Sequence, residues 1–204
     1  GYSDRELSAR VLINIDFARA NVKSSIYDQA ILEGIATTFP DTETILENGK
    51  VRGMSANDVQ KILNLKHAWE FIMDKDVVAS KTDYSVLCYI AGLVNEGFYT
   101  YGGRIRSVPV AIGGSDYVPP IPIEVDVKEK ISEIIDSKLS AIDKAIELCL
   151  YCMKTQAFND GNKRAAVIFA NHYLISQGEG LLVIPEKRVS EFKKMLVGYY
   201  EGKD

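Results

Sequence analysis

Residues 163–176 read Lys163-Arg-Ala-Ala-Val-Ile-Phe-Ala-Asn-His-Tyr-Leu-Ile-Ser176. The stretch is apolar almost all round through residues 165–170 and lacks the polar face of a surface helix. Other helices must enclose such a helix, because apolar side chains on every face have to leave water. The stretch therefore predicts a central buried helix in a mostly α-helical fold.

Apolar periodicity and capping residues predict helices along most of the remaining chain, at about 3–33, 43–46, 55–73, 83–95, 127–135, 139–154 and 186–199. A capping box of Ser3 and Glu6 is expected to start the first helix, and Gly34 to end it. We expect Pro40 to fix a bend in a polar connection, and residues 181–184 to form a short strand. Helices thus dominate the prediction.

A period of two replaces the helical period over residues 98–112, on either side of Gly102-Gly103. This alternation about a glycine turn predicts a β-hairpin. Residues 117–122 follow it and must be extended because they contain three prolines. We expect residues 98–122 to form one hairpin flap, and the whole chain 1–204 to be a single domain, because no repeat or linker divides it.

Composition and charge argue against nucleic-acid-binding, membrane-spanning and exported proteins. The 204 residues are 47% hydrophobic and 25% charged, as in ordinary globular proteins. A net charge of −4 argues against nucleic-acid binding, which requires clustered Lys and Arg. No apolar stretch is long enough to cross a membrane, and no signal peptide is visible. The odd number of cysteines, 3, indicates a reducing compartment, so we expect a cytoplasmic protein.

Two of those cysteines, Cys149 and Cys152, form a CxxC pair. Such a pair occurs in zinc half-sites and redox sites, but the chain offers no second pair or CxxxH cluster. On the predicted helix both thiols lie on one apolar face, so we interpret them as core residues.

The segment before the central helix has the features of a phosphate site. It reads Asn159-Asp-Gly-Asn-Lys-Arg164, and backbone N–H groups at a helix start attract anions. Gly161 permits close backbone approach, while Lys163 and Arg164 add positive charge. Asp160 is a candidate ligand for a Mg²⁺ ion that bridges phosphates. Taken alone, the loop favours a plainer alternative, in which Asp160 only caps the next helix.

Three segments together resemble the Fic/Doc family. Residues 155–164 resemble its signature, His-x-Phe-x-Asp/Glu-Gly-Asn-Gly/Lys-Arg, and residues 31–34 resemble the end of its inhibitory helix. Residues 102–122 resemble its β-hairpin flap. The resemblance extends over about residues 20–180. It implies a helical bundle around a central helix, and transfer of AMP, or another phosphate-containing group, from ATP to a protein hydroxyl with Mg²⁺.

The resemblance also assigns roles to individual residues. It implies phosphate binding by Asn159, Asp160, Gly161, Asn162, Lys163 and Arg164, with Asp160 as the metal ligand. Phe158 would anchor this loop in the core. Glu33 would be the inhibitory residue if it meets Lys163 or Arg164. The hairpin would dock a protein target by strand addition around Arg104, Ile105 and Arg106; the alternative is that its side chains serve only to pack on the core.

Several positions depart from the family pattern. Gln156 replaces the catalytic His, and an amide cannot act as a general base, although it can orient a hydroxyl. Lys163 matches the death-on-curing subgroup, which transfers phosphate. Val167 replaces a second Arg that would pair with Glu33, and Gln29 replaces a Ser or Thr.

Two histidines remain, and their positions suit neither as a replacement base: His67 is expected at the surface and His172 in or near the core. The sequence is thus compatible with an enzyme of altered base chemistry. It is equally compatible with a catalytically impaired nucleotide switch or antitoxin-like module. A purely structural role fits the retained phosphate-binding residues least.

Overall fold

A computed structural model describes residues 7–203. Within them the chain forms α-helices and no β-strand. The helices are α1 (Ala9–Leu32), α2 (Phe39–Asn48), α3 (Ala56–Met73), α4 (Lys75–Val78), α5 (Tyr84–Val94), α6 (Glu124–Asp136), α7 (Ala141–Thr155), α8 (Asn162–Gln177) and α9 (Val189–Tyr200). A 3-10 turn, Glu186–Arg188, precedes α9.

Helix α8 is the centre of the fold, as its sequence predicts. Every residue from Arg164 to Ile175 is buried, and α1, α3, α4, α5 and α7 pack against it. A buried polar bridge joins three of these elements. The Trp69 indole N–H donates to Gln29 Oε1 over 2.6 Å, and Gln29 Nε2 donates to the Arg164 carbonyl over 3.3 Å. Gln29 thus links α1 and α3 to the first turn of α8.

Side-chain caps explain where most helices begin. Ser55 caps α3 at the predicted start, and Asp83 caps α5. The first helix begins at Ser8 rather than Ser3, and the predicted capping box of Ser3 and Glu6 lies outside the described residues. The bend predicted at Pro40 is wrong, because this proline lies in the first turn of α2, where no N–H is needed.

The predicted hairpin is also wrong. Residues 98–122 contain no strand, and their polar groups bond to α7 and its following loop instead. The Arg106 N–H donates to the Ala157 carbonyl over 2.9 Å. The whole Arg106 residue is 2% exposed. Its guanidinium donates hydrogen bonds to the backbone carbonyls of Val108, Pro119, Pro120, Thr155 and Gln156.

Arg106 therefore gathers both arms of the segment around one charge, where a hairpin would have paired them with each other. Ile105 is half-buried against the core, and Arg104 is exposed with its guanidinium 3.9 Å from the centre of the Tyr101 ring. Strand addition at Arg106 is excluded in this arrangement, because its N–H already has an acceptor. Segment 98–122 is called the flap segment below.

The strand predicted at residues 181–184 is absent for a similar reason. The Asn171 side chain accepts from the Leu182 N–H and donates to the Leu182 carbonyl, each over 2.7 Å. These are the backbone groups that strand pairing would use. Asn171 lies within α8, so the central helix fixes this segment directly.

Both CxxC thiols pack in the core, as interpreted from the sequence. Cys149 and Cys152 are buried and unpaired with each other. Burial raises the pKa of Cys149 to about 12 and also raises the pKa of Cys152. Among the described residues no group of acids, histidines and cysteines is arranged to hold a metal ion. None of the described helices is long and apolar enough to cross a membrane.

Replacing Arg106 with Met should lower the free energy of unfolding by about 3 kcal/mol or more, because several carbonyls around this buried residue would lose their shared donor. Urea denaturation measures this. Arg104→Met is the matched control, since Arg104 is exposed on the same segment, and should cost at most ~0.5 kcal/mol. Equal losses in the two variants would contradict the role given to Arg106.

His172 makes folding stability depend on pH. It is fully buried; Nε2 donates to the Val77 carbonyl over 2.7 Å, so Nδ1 accepts from the Thr82 hydroxyl over 2.8 Å. Burial lowers the pKa of His172 below 6.5. Below pH 6.5 the unfolded chain therefore binds one proton more than the folded protein. As the pH is lowered through this range, the free energy of unfolding should fall with a slope approaching ~1.4 kcal/mol per pH unit.

Denaturation between pH 8 and pH 5 tests this slope. His172→Gln should remove the part due to this imidazole, while His67→Gln should leave it unchanged because His67 is exposed. The same pH dependence in the His172 variant and the native protein would refute the assignment.

Candidate functional site

The loop between α7 and α8 is closed by Asn162. The Asn162 carbonyl oxygen Oδ1 accepts from the Phe158 N–H over 2.9 Å, and Nδ2 donates to the Phe158 carbonyl over 2.8 Å. Phe158 is 1% exposed and anchors the loop in the core, as predicted. The loop is therefore held at both of its ends before any ligand binds.

Gly161 is required at the N-terminus of α8. Its φ of +74° is in the left-handed region. A Cβ there would lie 2.7 Å from Asn95 Oδ1 and 2.8 Å from a Val94 methyl group. Asn95 also supports the loop, because its Nδ2 donates to the carbonyls of Asp160 over 2.9 Å and Gly102 over 3.1 Å.

No side chain caps α8. The plain alternative for Asp160, that it caps this helix, is therefore wrong, and the positive end of the helix dipole is not compensated by a side-chain cap. The Asp160 side chain is 53% exposed, with Oδ1 3.7 Å from an Arg164 terminal nitrogen.

The Gln156 side chain is fixed within the loop by hydrogen bonds. Gln156 is the only non-glycine with positive φ, 50°, in the described part of the chain. Nε2 donates to the Met153 carbonyl over 2.6 Å, and Oε1 accepts from Asn162 Nδ2 over 3.1 Å. The Arg106 guanidinium donates to the Gln156 backbone carbonyl. The amide thus acts as a bridge within the loop.

A cavity of about 360 Å³ lies beside this loop. It brings together the predicted site residues Glu33, Gln156 and 160–163. Asn159 and Arg104–Arg106 are not among its lining residues, and Arg164 lies buried outside the lining. The other walls were not predicted: they are residues 111–114 of the flap segment and Lys193, Leu196, Val197 and Tyr200 of α9.

The α9 residues follow one helical face, at i, i+3, i+4 and i+7. Such spacing also marks any amphipathic helix, so sequence periodicity predicts the helix but not the cavity that it lines. Arg106 carries no motif signal either, since its role depends on carbonyls from distant segments.

Arg164 is a buried cation with incomplete partners. Its side chain is 4% exposed, and Nε lies 3.7 Å from Glu33 Oε1. That separation allows charge attraction but is too long for a hydrogen bond. Arg164 Nε is accordingly a buried polar atom without a hydrogen-bond partner among the described residues. Glu33 thus lies beside Arg164, one of the two cations that it was expected to meet.

Lys163 shares this environment. Burial lowers the pKa of Lys163, Glu33 raises it, and the positive charges of Lys193 and Arg164 lower it further. The site therefore concentrates cations beside a helix N-terminus, with Glu33 and Asp160 as the neighbouring carboxylates.

Comparisons with known proteins agree with this geometry. Residues 81–174 match the family model described as Fic/DOC family. Fic-1 (residues 134–508) from C. elegans superposes with a TM-score of 0.76 at 19% identity, over 98% of this chain and 61% of that chain. The present chain thus spans about three fifths of that structure's length. A search of curated proteins finds no significant match.

Two bacterial structures are also similar. A Fic domain containing signalling protein from Bacteroides thetaiotaomicron gives a TM-score of 0.75 at 20% identity, over 94% of this chain and 75% of that chain. A Fic family protein from Desulfovibrio desulfuricans gives 0.71 at 14% identity, over 98% and 69%. The chain therefore has the Fic fold, and its residues 81–174 are similar to the Fic/DOC family model.

Proposed function

We propose that this protein binds ATP, or another nucleoside triphosphate, with Mg²⁺ in the cavity beside α8, and transfers AMP to a protein hydroxyl. The observation that carries the proposal is the buried Arg164, whose Nε has no hydrogen-bond partner in the described part of the chain and which lies beside an uncapped helix N-terminus. Both groups favour an anion, and a phosphate chain supplies several acceptor oxygens at once.

Each predicted phosphate ligand has a distinct contribution. Gly161 and Asn162 present backbone N–H groups at the helix start, and Lys163 lines the cavity with a charged amine. Asn159 is exposed and outside the lining, so we assign it a supporting role at most. The lysine at position 163 is also found in the death-on-curing subgroup, which transfers phosphate. Phosphate is therefore the alternative to AMP as the transferred group.

Asp160 fits the role of a Mg²⁺ ligand. Its carboxylate lines the cavity and is half exposed, and Mg²⁺ in nucleotide sites commonly takes one or two protein carboxylates plus phosphate oxygens. When bound, the ion would neutralise charge on the phosphates. Asp160 and Arg164 would then hold opposite charges close to the same phosphate chain.

The transfer step requires an acceptor for one proton. The hydroxyl oxygen attacks the α-phosphorus, the bond to pyrophosphate breaks, and the hydroxyl proton passes to solvent water. Gln156 cannot take that proton, and Asn162 already occupies its carbonyl oxygen. General-base catalysis is worth ~10²–10⁴-fold, so transfer by the native protein should be slow by about that factor.

The hydrogen bonds that occupy the Gln156 side chain favour a second candidate function. A site that retains phosphate ligands while its catalytic position is engaged in loop hydrogen bonds suits a nucleotide-dependent switch or antitoxin-like module. In this role the nucleotide would stabilise one conformation for a protein partner, and no group would be transferred.

A protein target is expected at the outer part of the flap segment. Arg104 is exposed and Ile105 half-buried there, whereas Arg106 is committed to the interior. Since the segment has no strand, we propose side-chain contacts rather than strand addition.

Incubation with ATP labelled on the α-phosphate, with Mg²⁺ and cellular protein, separates the two functions. Gln156→His should raise label transfer by ~10²–10⁴-fold over the native protein. Gln177→His is the matched control, because Gln177 is exposed at the far end of α8, and should behave as native. Slow native transfer supports the enzyme, and native binding without transfer supports the switch. Absence of nucleotide binding in the native protein would refute both.

The Glu33→Gln variant tests whether the Glu33 carboxylate inhibits nucleotide binding. Removing the carboxylate beside Arg164 should tighten ATP binding by ~3–10-fold, because Glu33 would no longer compete with the phosphates for the positive charge of Arg164. The same change should lower the melting temperature without nucleotide, because a buried cation loses its partner. Calorimetry and thermal unfolding measure these effects. Glu43→Gln, on the surface next to Lys23, is the control. Unchanged affinity would make Glu33 an ordinary helix-end residue.

A further inference from the structure

Helix α9 brings a second lysine to the cavity. Lys193 lines the cavity and is half-buried, whereas its neighbour Lys194 is exposed and outside the lining. Leu196 and Tyr200, which follow on the same face, are buried at 5% and 3% exposure. The backbone of α9 is therefore held in place by its apolar side chains, and the Lys193 amine extends from an anchored element.

The charges around the cavity do not balance. Lys163, Arg164 and Lys193 provide three cations, against the carboxylates of Glu33 and Asp160. Neither lysine forms an ion pair within residues 7–203. Their charges are close enough to oppose each other, since Lys193 disfavours the charged form of Lys163. Two half-buried amines on opposing elements thus repel unless an anion lies between them.

We propose that Lys193 is a phosphate ligand that makes the cavity selective for triphosphates over monophosphates. The inference rests on the proposed nucleotide site, and it adds a cation from α9 to those of the α8 loop. A phosphate chain bound between Lys163 and Lys193 would replace their repulsion with two attractions. A monophosphate provides fewer anionic oxygens and cannot satisfy both amines to the same extent as a chain of three.

Arg164 adds a third positive charge behind the loop. It is buried, and its Nε has no hydrogen-bond partner within residues 7–203, so its charge is only partly compensated by Glu33. A ligand with several phosphates therefore meets cations from both elements, and its affinity should depend on how many phosphates it carries.

Calorimetry with Mg²⁺ and ATP, ADP, AMP or inorganic tripolyphosphate tests the proposal. Lys193→Met should weaken ATP and tripolyphosphate binding by at least ~10-fold and AMP binding much less. Lys193→Arg should retain most of the affinity. Lys194→Met is the matched control on the same helix and should stay within ~2-fold of native. Thermal unfolding verifies that each variant is folded.

The outcomes separate this proposal from the proposed function. Native ATP binding that Lys193→Met leaves unchanged, or that Lys194→Met weakens equally, would overturn the role of Lys193 and leave the nucleotide site standing. Tripolyphosphate binding that requires Lys193, without nucleotide binding, would support the lysine ligand and refute the proposed function. Failure of the native protein to bind either ligand would overturn both.

Discussion

The enclosure of α8 is the constraint on which the rest of the structure depends. Because residues 164–175 are buried on every side, the surrounding helices must cover the full circumference of α8. Only its ends remain for contact with loops and ligands. The N-terminal end, at Gly161, is left without a side-chain cap, so the most constrained element of the fold presents its positive dipole end at the cavity.

Burial of the first helical turn also takes Arg164 out of water. A desolvated guanidinium is costly unless charge and hydrogen bonds compensate it. Glu33 and Asp160 supply charge at 3.7 Å each but leave Nε without a hydrogen bond. The described residues therefore leave this buried cation incompletely satisfied, which is why we propose an anionic ligand here. This incompleteness distinguishes the loop from an ordinary polar connection.

The neighbouring residues make the site rigid rather than reactive. Asn162, Asn95 and Arg106 bond to backbone carbonyls on both sides of the loop, and Gln156 joins the same set of hydrogen bonds. Such an arrangement would hold the proposed phosphate donors in place before binding and so reduce the entropic cost of association. It provides no group at Gln156 that accepts a proton. Preorganisation and base catalysis are thus separated in this protein.

The sequence by itself determined the elements that rest on local chemistry. The apolar circumference of residues 165–170 predicts a buried helix, Ser55 starts a helix through its own side chain, and the loop before α8 has a glycine and two cations at a helix start. Its resemblance to a known signature also directs attention to Gln156. These features depend on residues within one or two turns of each other, so periodicity and capping rules can predict them.

Only the tertiary structure decided the contacts between distant segments. Alternating side chains in segment 98–122 suit a hairpin, yet Arg106 binds carbonyls from three parts of the chain and no ladder forms. Likewise, Asn171 replaces a strand partner for Leu182, and α9 places Lys193 opposite Lys163. Each outcome depends on which carbonyl, amide or charge a folded neighbour presents, and side chains more than ten residues apart carry no common local pattern that would reveal it.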